Sequence, residues 1–417
     1  MIKVLVVGKG GREHAIITAL QQSPSETKIY SFPGSDAIFE IAEEVDAQDL
    51  PSLINFMKAK EIDLCVAGEE SYLVKDNGLA NECEKAGIPC WGPQKQSAQL
   101  EASKEFAKQF MVRHEIPTGG YASVDDVDAA VEAIGGKYPT VLKFDGLAAG
   151  KGVAVCLDEA SAMEFIDEVL GQRKFGEGRL LVEEFLAGPE ISIFASVVDD
   201  QYQILAPARD YKRISDADEG PNTGGMGAVS SLEMFEGDLR RQIEETIVKP
   251  TVEGLIKDGL PYRGFLYFGL ILTDEGPKIL EYNCRFGDPE AQAVLPMIKG
   301  DFAKYVFEGA KGNLQPDLIE FSDGWSVCLV SASAGYPASS RSGDTISGIG
   351  ELDGAVIYHA GTRLDGEGRF ETAGGRVYAI VAQGATLQSA VAQVYEQSDK
   401  VSFSGMQRRS DIGVLHF

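Results

Sequence analysis

The sequence predicts a multidomain protein of mixed α/β and α+β character, with a parallel α/β domain at its N-terminus and a small cap at its C-terminus. Three observations carry this reading. Apolar runs alternate with helical stretches over residues 1–100, the pattern of a parallel sheet with helices on its faces. From about residue 140 the strands are short and joined through tight turns, the pattern of antiparallel pairing. A chain of 417 residues is too long for one ordinary core and suggests two to four domains.

The elements follow in order. Residues 2–7 (Ile-Lys-Val-Leu-Val-Val) form a first strand ending in Gly8-Lys9-Gly10-Gly11, and a helix opens at Arg12. Further strands are expected at 28–32, 62–67 and 88–91, with a helix at 72–86. A long helix should span 97–114, where Pro117 limits it. Strands at 140–144 and 153–157 flank a glycine-rich loop, and a helix follows at 161–170. Strands at 179–185 and 191–198 come next, with Asp199-Asp200 turning the chain into 202–206. Helices at 232–258 lead to a hairpin, 264–273 and 278–283, turned at Asp274-Glu275-Gly276. Strands at 325–333, 355–360 and 376–383 and a helix at 386–397 make the tail, read as a separate cap over 321–417.

Composition excludes several classes. The formal net charge of −26 repels nucleic acid and anionic membranes. No apolar run approaches a membrane span, and the N-terminus lacks a signal-peptide cleavage pattern, so a cytoplasmic location is expected. The cysteines at 65, 83, 90, 156, 284 and 328 form no C-x-x-C pair, which argues against zinc or a disulfide framework. The four histidines (14, 114, 359 and 416) show no metal spacing either.

Chemistry concentrates in five stretches. In Lys143-Phe144-Asp145-Gly146-Leu147-Ala148-Ala149-Gly150-Lys151-Gly152, small residues let backbone N–H groups approach phosphate oxygens while Lys143 and Lys151 supply charge. It is not a Walker A loop, since Gly152 follows Lys151; a plain hairpin loop is the blander reading. Glu183-Glu184-Phe185-Leu186-Ala187-Gly188-Pro189-Glu190 ends a strand in acids read as exposed. It suits either adenine and ribose recognition or a solvated turn. Glu281 and Asn283 share one face of a strand, where a carboxylate and an amide oxygen suit magnesium; an exposed polar edge is the alternative. Arg285 adds a phosphate-stabilising cation, and the group reads as a clamp for phosphoryl transfer. Asp210, Lys212 and the run Gly220-Pro221-Asn222-Thr223-Gly224-Gly225-Met226-Gly227, too glycine-rich for a regular element, offer donors to a small anionic substrate or form a mobile surface loop. Gly8–Gly11 before a helix is an anion site, but its spacing misses the dinucleotide pattern G-x-G-x-x-G. No enzyme nucleophile stands out, which fits acyl-phosphate chemistry.

Taken together, GKGGREHA, DGLAAGKGV, VEEFLAGPE, GPNTGGMGA, EYNCRFGDPE, HAGT and AGGRVY resemble the ATP-grasp superfamily, and within it the phosphoribosylamine–glycine ligases. The likeness runs along essentially the whole chain, with GPNTGGMG and NCRFGDPE its most specific parts. It implies a two-lobed ATP-grasp domain over 101–320, whose glycine-rich lobe (about 120–190) closes over ATP. Lys104, Lys143, Gly150 and Lys151 would contact the ATP phosphates. Glu183, Phe185, Leu186 and Glu190 would contact adenine and ribose. Glu281 and Asn283 would hold Mg2+ or Mn2+. Asp210, Lys212 and Arg285, with Asn222, Thr223, Gly224, Gly225 and Met226, would surround glycine and its acyl phosphate. Gly10, Gly11 and Arg376 would take the ribose phosphate of 5-phosphoribosylamine. The resemblance also implies a stand-alone enzyme, a monomer or small homo-oligomer. Three residues depart from the pattern: Tyr211 stands where histidine is usual, and Phe144 and Phe268 replace small residues.

Three rival readings fit parts of the sequence. Another ATP-grasp purine ligase, such as a formate-dependent transformylase or a carboxylase, would share the ATP residues. A dehydrogenase is suggested by the first glycine loop alone, and a non-catalytic sugar-phosphate binder by its anion site.

Overall fold

The computed structural model describes residues 1–148 and 152–415. Strand and helix alternate at the N-terminus as the apolar pattern requires. The strands pair in the order 43–44, 27–33, 2–8, 64–67, 90–91, all parallel. The helix Leu50–Lys60, which the sequence reading passed over, covers one face and is capped by Asp49, whose carboxylate accepts from the Ser52 N–H at 2.9 Å.

Two long helical stretches are each broken. The 72–86 stretch is interrupted at Asp76 and Gly78, both with positive φ. The 97–114 stretch divides at Ser103, which is extended and caps the second helix, Lys104–Arg113, by accepting from the Phe106 N–H at 3.1 Å. At Ser103 a local cap outcompetes the continuous apolar period, and at Asp76 and Gly78 the positive-φ backbone breaks it.

A four-stranded antiparallel sheet follows, in the order 121–124, 180–184, 140–144, 153–156. Its core of Leu142, Phe144, Phe165 and Leu180 forms an apolar cluster of its own. The larger sheet runs 276–283, 263–273, 190–198, 208–210, 227–230, 325–332, 376–384, 355–359, with 201–204 paired beside 190–198. The tail expected as a separate cap thus supplies three strands to this sheet: 325–332 pairs with 227–230, whose edge would otherwise stay open. The run 220–227 also corrects the loop reading. Residues 219–222 and 227–230 are strands, leaving only Thr223–Met226 between them. One apolar cluster joins the parallel domain to the large sheet, from Leu5 and Val7 through Phe110 to Ile193 and Phe268. Among the described residues no helix is long and apolar enough to cross a membrane.

Candidate active site

The strand Gly276–Asn283 pairs antiparallel with Arg263–Thr273, placing Glu281 opposite Gly269 and Asn283 opposite Tyr267. Alternation puts both polar side chains on one face while Tyr282 is buried behind them. The register slips between Gly269 and Leu270, and within this bulge the Leu280 carbonyl accepts from Lys143 Nζ at 3.0 Å. A side chain at Gly269 would press on Glu281, its Cβ 3.1 Å from Glu281 Cγ. Burial opposes the charge on Glu281, but Lys212, Lys143, Lys104 and Arg285 outweigh it and hold the carboxyl below its usual range. The Asn283 amide nitrogen, assigned from its surroundings, faces Glu101 Oε1 at 3.0 Å, which turns the amide oxygen the other way.

Lys143 reaches this strand from the four-stranded sheet and also pairs with Glu183 Oε2 at 3.1 Å. Glu183 is not the exposed acid expected. It is 5% exposed because alternation along 180–184 sends it inward and Glu184 outward. Lys108, which the sequence reading missed, meets the same oxygen at 2.9 Å and donates to Thr118 Oγ1 at 2.8 Å. Glu183 Oε1 has no hydrogen-bond partner among the described residues. Lys104 donates to the Gly146 carbonyl at 2.9 Å, with burial lowering its pKa against the pull of Glu281. Phe185 is exposed and Leu186 half-buried just beyond the strand end. Gly150 and Lys151 lie outside the described residues.

Lys212 sits among acids. It donates to Glu190 Oε2 at 2.7 Å and lies 4.0 Å from Asp210 Oδ2. Burial, with Glu290, Glu190 and Glu281 close by, pushes Asp210 up to about 7 against the pull of Lys212. Buried Glu290 lies on the same group, its Oε1 3.3 Å from Ser192 Oγ. Four carboxylates around one lysine leave an excess of negative charge that a cationic ligand would balance. The adjoining turn is fixed by Thr223, whose Oγ1 donates to the Lys212 carbonyl at 2.7 Å and accepts from the Gly225 N–H at 2.9 Å. Asn222 pairs with Arg213 across a two-stranded ladder, and Met226 is fully buried.

Arg285 is engaged by acids rather than free for phosphate. Its Nε lies 3.1 Å from Glu70 Oε2 of the parallel domain and its Nη2 2.7 Å from Glu101 Oε1. Glu101 also accepts from the Cys284 N–H at 2.6 Å. From Glu70 the contacts continue to Arg12 Nη2 at 3.5 Å, from Arg12 Nε to Glu13 Oε1 at 2.6 Å, and from Glu13 Oε2 to the Gly10 N–H at 2.7 Å. This chain of charges links the first glycine loop to the strand that carries Glu281 and Asn283. Gly10 and Gly11 face Asp288 and Gln292: a Cβ on Gly11 would lie 2.7 Å from Gln292 Nε2. Arg376 reaches the same place from the tail, donating to the Gly224 and Asp288 carbonyls at 2.6 and 2.7 Å. The oxygen Oε1 of buried Gln292 has no hydrogen-bond partner among the described residues.

The three departures are absorbed by packing. Tyr211 turns toward the C-terminal segment, accepting from the Gly413 N–H at 2.9 Å and donating to the Val414 carbonyl. Phe144 packs on Phe175 at 5.6 Å and Phe268 on Tyr282 at 5.6 Å, both in apolar cores. Glu70, Glu101, Lys108, Asp288, Glu290 and Gln292 were not singled out from the sequence. NCRFGDPE contains two of them, and its density of charge was the available signal. Glu70 and Lys108 sit in stretches with no local mark.

Comparison with known proteins covers the chain in three consecutive pieces. Residues 2–101 match the phosphoribosylglycinamide synthetase N domain, 102–291 its ATP-grasp (A) domain and 326–415 its C domain. A phosphoribosylamine–glycine ligase of Caldanaerobacter subterraneus is 42% identical over 99% of both chains. The trifunctional purine biosynthetic protein adenosine-3 of Drosophila melanogaster is 40% identical over all of this chain and 32% of its own length. The crystal structure of a phosphoribosylamine–glycine ligase from Thermotoga maritima superposes with a TM-score of 0.85 at 34% identity, covering 99% of this chain and 100% of that one. A biotin carboxylase from Campylobacter jejuni shares the fold alone, with a TM-score of 0.73 at 16% identity over 97% and 92% of the chains.

Proposed function

The chain belongs to the phosphoribosylglycinamide synthetase family, and from that premise we propose how its residues carry out the ligation. The protein is a C–N bond-forming ligase of purine biosynthesis that joins glycine to 5-phosphoribosylamine with ATP, giving glycinamide ribonucleotide, ADP and phosphate. The convergence of Lys104, Lys143, Lys212 and Arg285 on the field of Glu281 is the observation that carries the residue assignments, because phosphoryl transfer needs concentrated positive charge beside an oxygen-ligand site.

Lys104 and Lys143, with Gly150 and Lys151, bind the ATP phosphates. Glu183 keeps its unpaired Oε1 for the exocyclic amine of adenine, with Phe185, Leu186 and Glu190 around the base and ribose. Glu281 and the outward oxygen of Asn283 would hold Mg2+ or Mn2+, which supplies neutralisation of phosphate charge; the surplus of carboxylates fits a cation there. Asp210 takes the ammonium of glycine. Lys212 and Arg285, with Asn222, Thr223, Gly224, Gly225 and Met226, steady its carboxylate as it attacks the γ-phosphate. The amine of phosphoribosylamine then attacks the acyl carbon of glycyl phosphate and phosphate leaves. Gly10, Gly11 and Arg376 hold the ribose phosphate. The separate core of the four-stranded sheet lets this lobe close as a unit over ATP. Approximation and preorganised charge supply most of the acceleration.

The test is ADP release with glycine and freshly made phosphoribosylamine, omitting each in turn. ADP that depends on both supports the assignment, and formate or bicarbonate dependence would replace it with another ATP-grasp reaction.

A further inference from the structure

No spacing in the sequence pairs the six cysteines, yet the fold gathers three of them away from the residues assigned to ligation. Cys65 lies in the strand Leu64–Ala67, Cys90 stands opposite it in the neighbouring parallel strand, and Cys83 comes from the helix Leu79–Ala86. Their three sulfurs lie within 4.8 Å of one another. They belong to an apolar cluster with Leu73, Leu79 and Ile88. Cys65 and Cys83 are 0% exposed and Cys90, on the edge strand, is 9% exposed.

Three sulfurs in one small space form a soft ligand set, and their surroundings select among soft ions. An apolar interior penalises any product that carries net charge. Three thiolates around a monovalent ion leave a charge of −2, and around a divalent ion −1. Around a trivalent centre the product is neutral. A centre with a stereochemical lone pair also completes its shell with three ligands, whereas structural zinc takes four, and among the described residues the cluster offers three.

We propose that Cys65, Cys83 and Cys90 form a binding site for a trivalent thiophilic metalloid of the arsenite and antimonite class. Arsenous acid enters as the neutral trihydroxide. Three S–H and three As–O bonds break, three As–S bonds form, and three waters leave. Arsenic stays trivalent, so no oxidant or reductant takes part. Cys90, on the edge strand, reacts first because it is the most accessible of the three. Sulfur–metal bonds of about 2.3 Å, set at the near-right angles of a lone-pair centre, place its three sulfurs about 3.4 Å apart, inside the 4.8 Å within which the three sulfurs already lie.

The experiment uses the full chain, reduced and freed of small thiols, mixed anaerobically with sodium arsenite and desalted. Arsenic retained per chain is measured by plasma mass spectrometry and its neighbours by X-ray absorption. One arsenic per chain with three sulfur neighbours and no oxygen is expected. C83A and C90A should each weaken retention at least tenfold, while C156A leaves it unchanged. Retention unaffected in C83A, or a first shell in the wild-type protein that keeps oxygen, overturns the proposal. The wild-type spectrum decides even if a variant fails to fold.

Discussion

Glu70 Oε2 lies 3.1 Å from Arg285 Nε, so a carboxylate of the parallel domain holds the arginine that follows the strand of Glu281 and Asn283. Burial would raise Glu70, but Arg285 and Arg12 bring it down to about 2, and it stays charged wherever the enzyme works. Substituting Glu70→Gln leaves Arg285 to Glu101 and loosens the link toward Gly10. The expected result is a roughly tenfold fall in kcat/KM for the amine, about 1.4 kcal/mol of transition-state stabilisation, with KM for ATP little changed. Steady-state kinetics with each substrate varied checks this. Wild-type values would mean the pair only fastens the domains together.

Glu281→Ala removes the carboxylate on which three lysines and an arginine converge. Turnover should fall by more than about a thousandfold, the scale of losing a group that organises charge in phosphoryl transfer. ADP release at saturating magnesium is the measurement. Near-normal activity sinks the metal assignment, and Glu281→Asp should recover part of the rate at raised magnesium.

Asp210 offers a pH test. Its folded pKa is raised to about 7, first by burial and then by Glu290, Glu190 and Glu281. A raised carboxyl contributes stability below its unfolded pKa of 3.8 that is lost as pH rises through about 7. A bound ammonium group would offset that loss by favouring the charged form. Glycine, added with magnesium and an ATP analogue, should therefore raise the melting temperature more at pH 8 than at pH 6. kcat/KM for glycine should climb with an apparent midpoint near 7. A flat profile in the wild type, or an unchanged one in Asp210→Asn, would exclude this role.

The parts of the site legible in the sequence are those built from neighbours in sequence. Glu281 and Asn283 share a face because strand alternation demands it, and Thr140–Phe144 is the strand the apolar pattern marks. The limit appears where partners come from distant segments. Glu183 looked solvated because Lys108 and Lys143 lie far from it in sequence. How the C-terminal domain joins the rest was not legible, because nothing local shows that 325–332 completes the edge of 227–230. The helices misjudged at Ser103 and Gly78 failed for the opposite reason: a short-range feature, a cap at Ser103 and positive-φ backbone at Asp76 and Gly78, overrode a longer apolar period.

The Lys108–Glu183–Lys143 group tests burial directly. Lys108 and Glu183 have side chains 2% and 5% exposed. Removing one partner of a buried pair costs roughly 3–5 kcal/mol, and the surviving contact to Lys143 should hold Lys108→Met to about 2–3 kcal/mol in urea unfolding. The double variant Lys108→Met with Glu183→Gln should lose more than Lys108→Met alone, since it leaves buried Lys143 without its carboxylate, but less than the sum of the two single losses. Strictly additive losses would show that the two groups do not act as a pair.

His14 and His359 join the first helix to the tail: His14 Nδ1 accepts from the His359 N–H at 3.1 Å, and the rings stack at 5.8 Å. Burial lowers both rings to about 4, so each is neutral when folded. Above an unfolded pKa of 6.5 neither state binds a proton, and the folded protein keeps its full stability. Between 6.5 and about 4 the unfolded chain takes up protons that the folded one refuses, and stability falls. At 1.36 kcal/mol per unit, each ring accounts for roughly 3 kcal/mol as an upper bound. His14→Asn keeps an acceptor for the His359 N–H and removes one titrating ring. Its urea midpoint should therefore fall less steeply than that of the wild type between pH 6.5 and 4.5, at equal ionic strength. Parallel curves for the two proteins would show that His14 carries none of the acid sensitivity in this window, where carboxylates such as Glu70 are still silent because their contribution is lost only as pH falls from 4.5 through about 2.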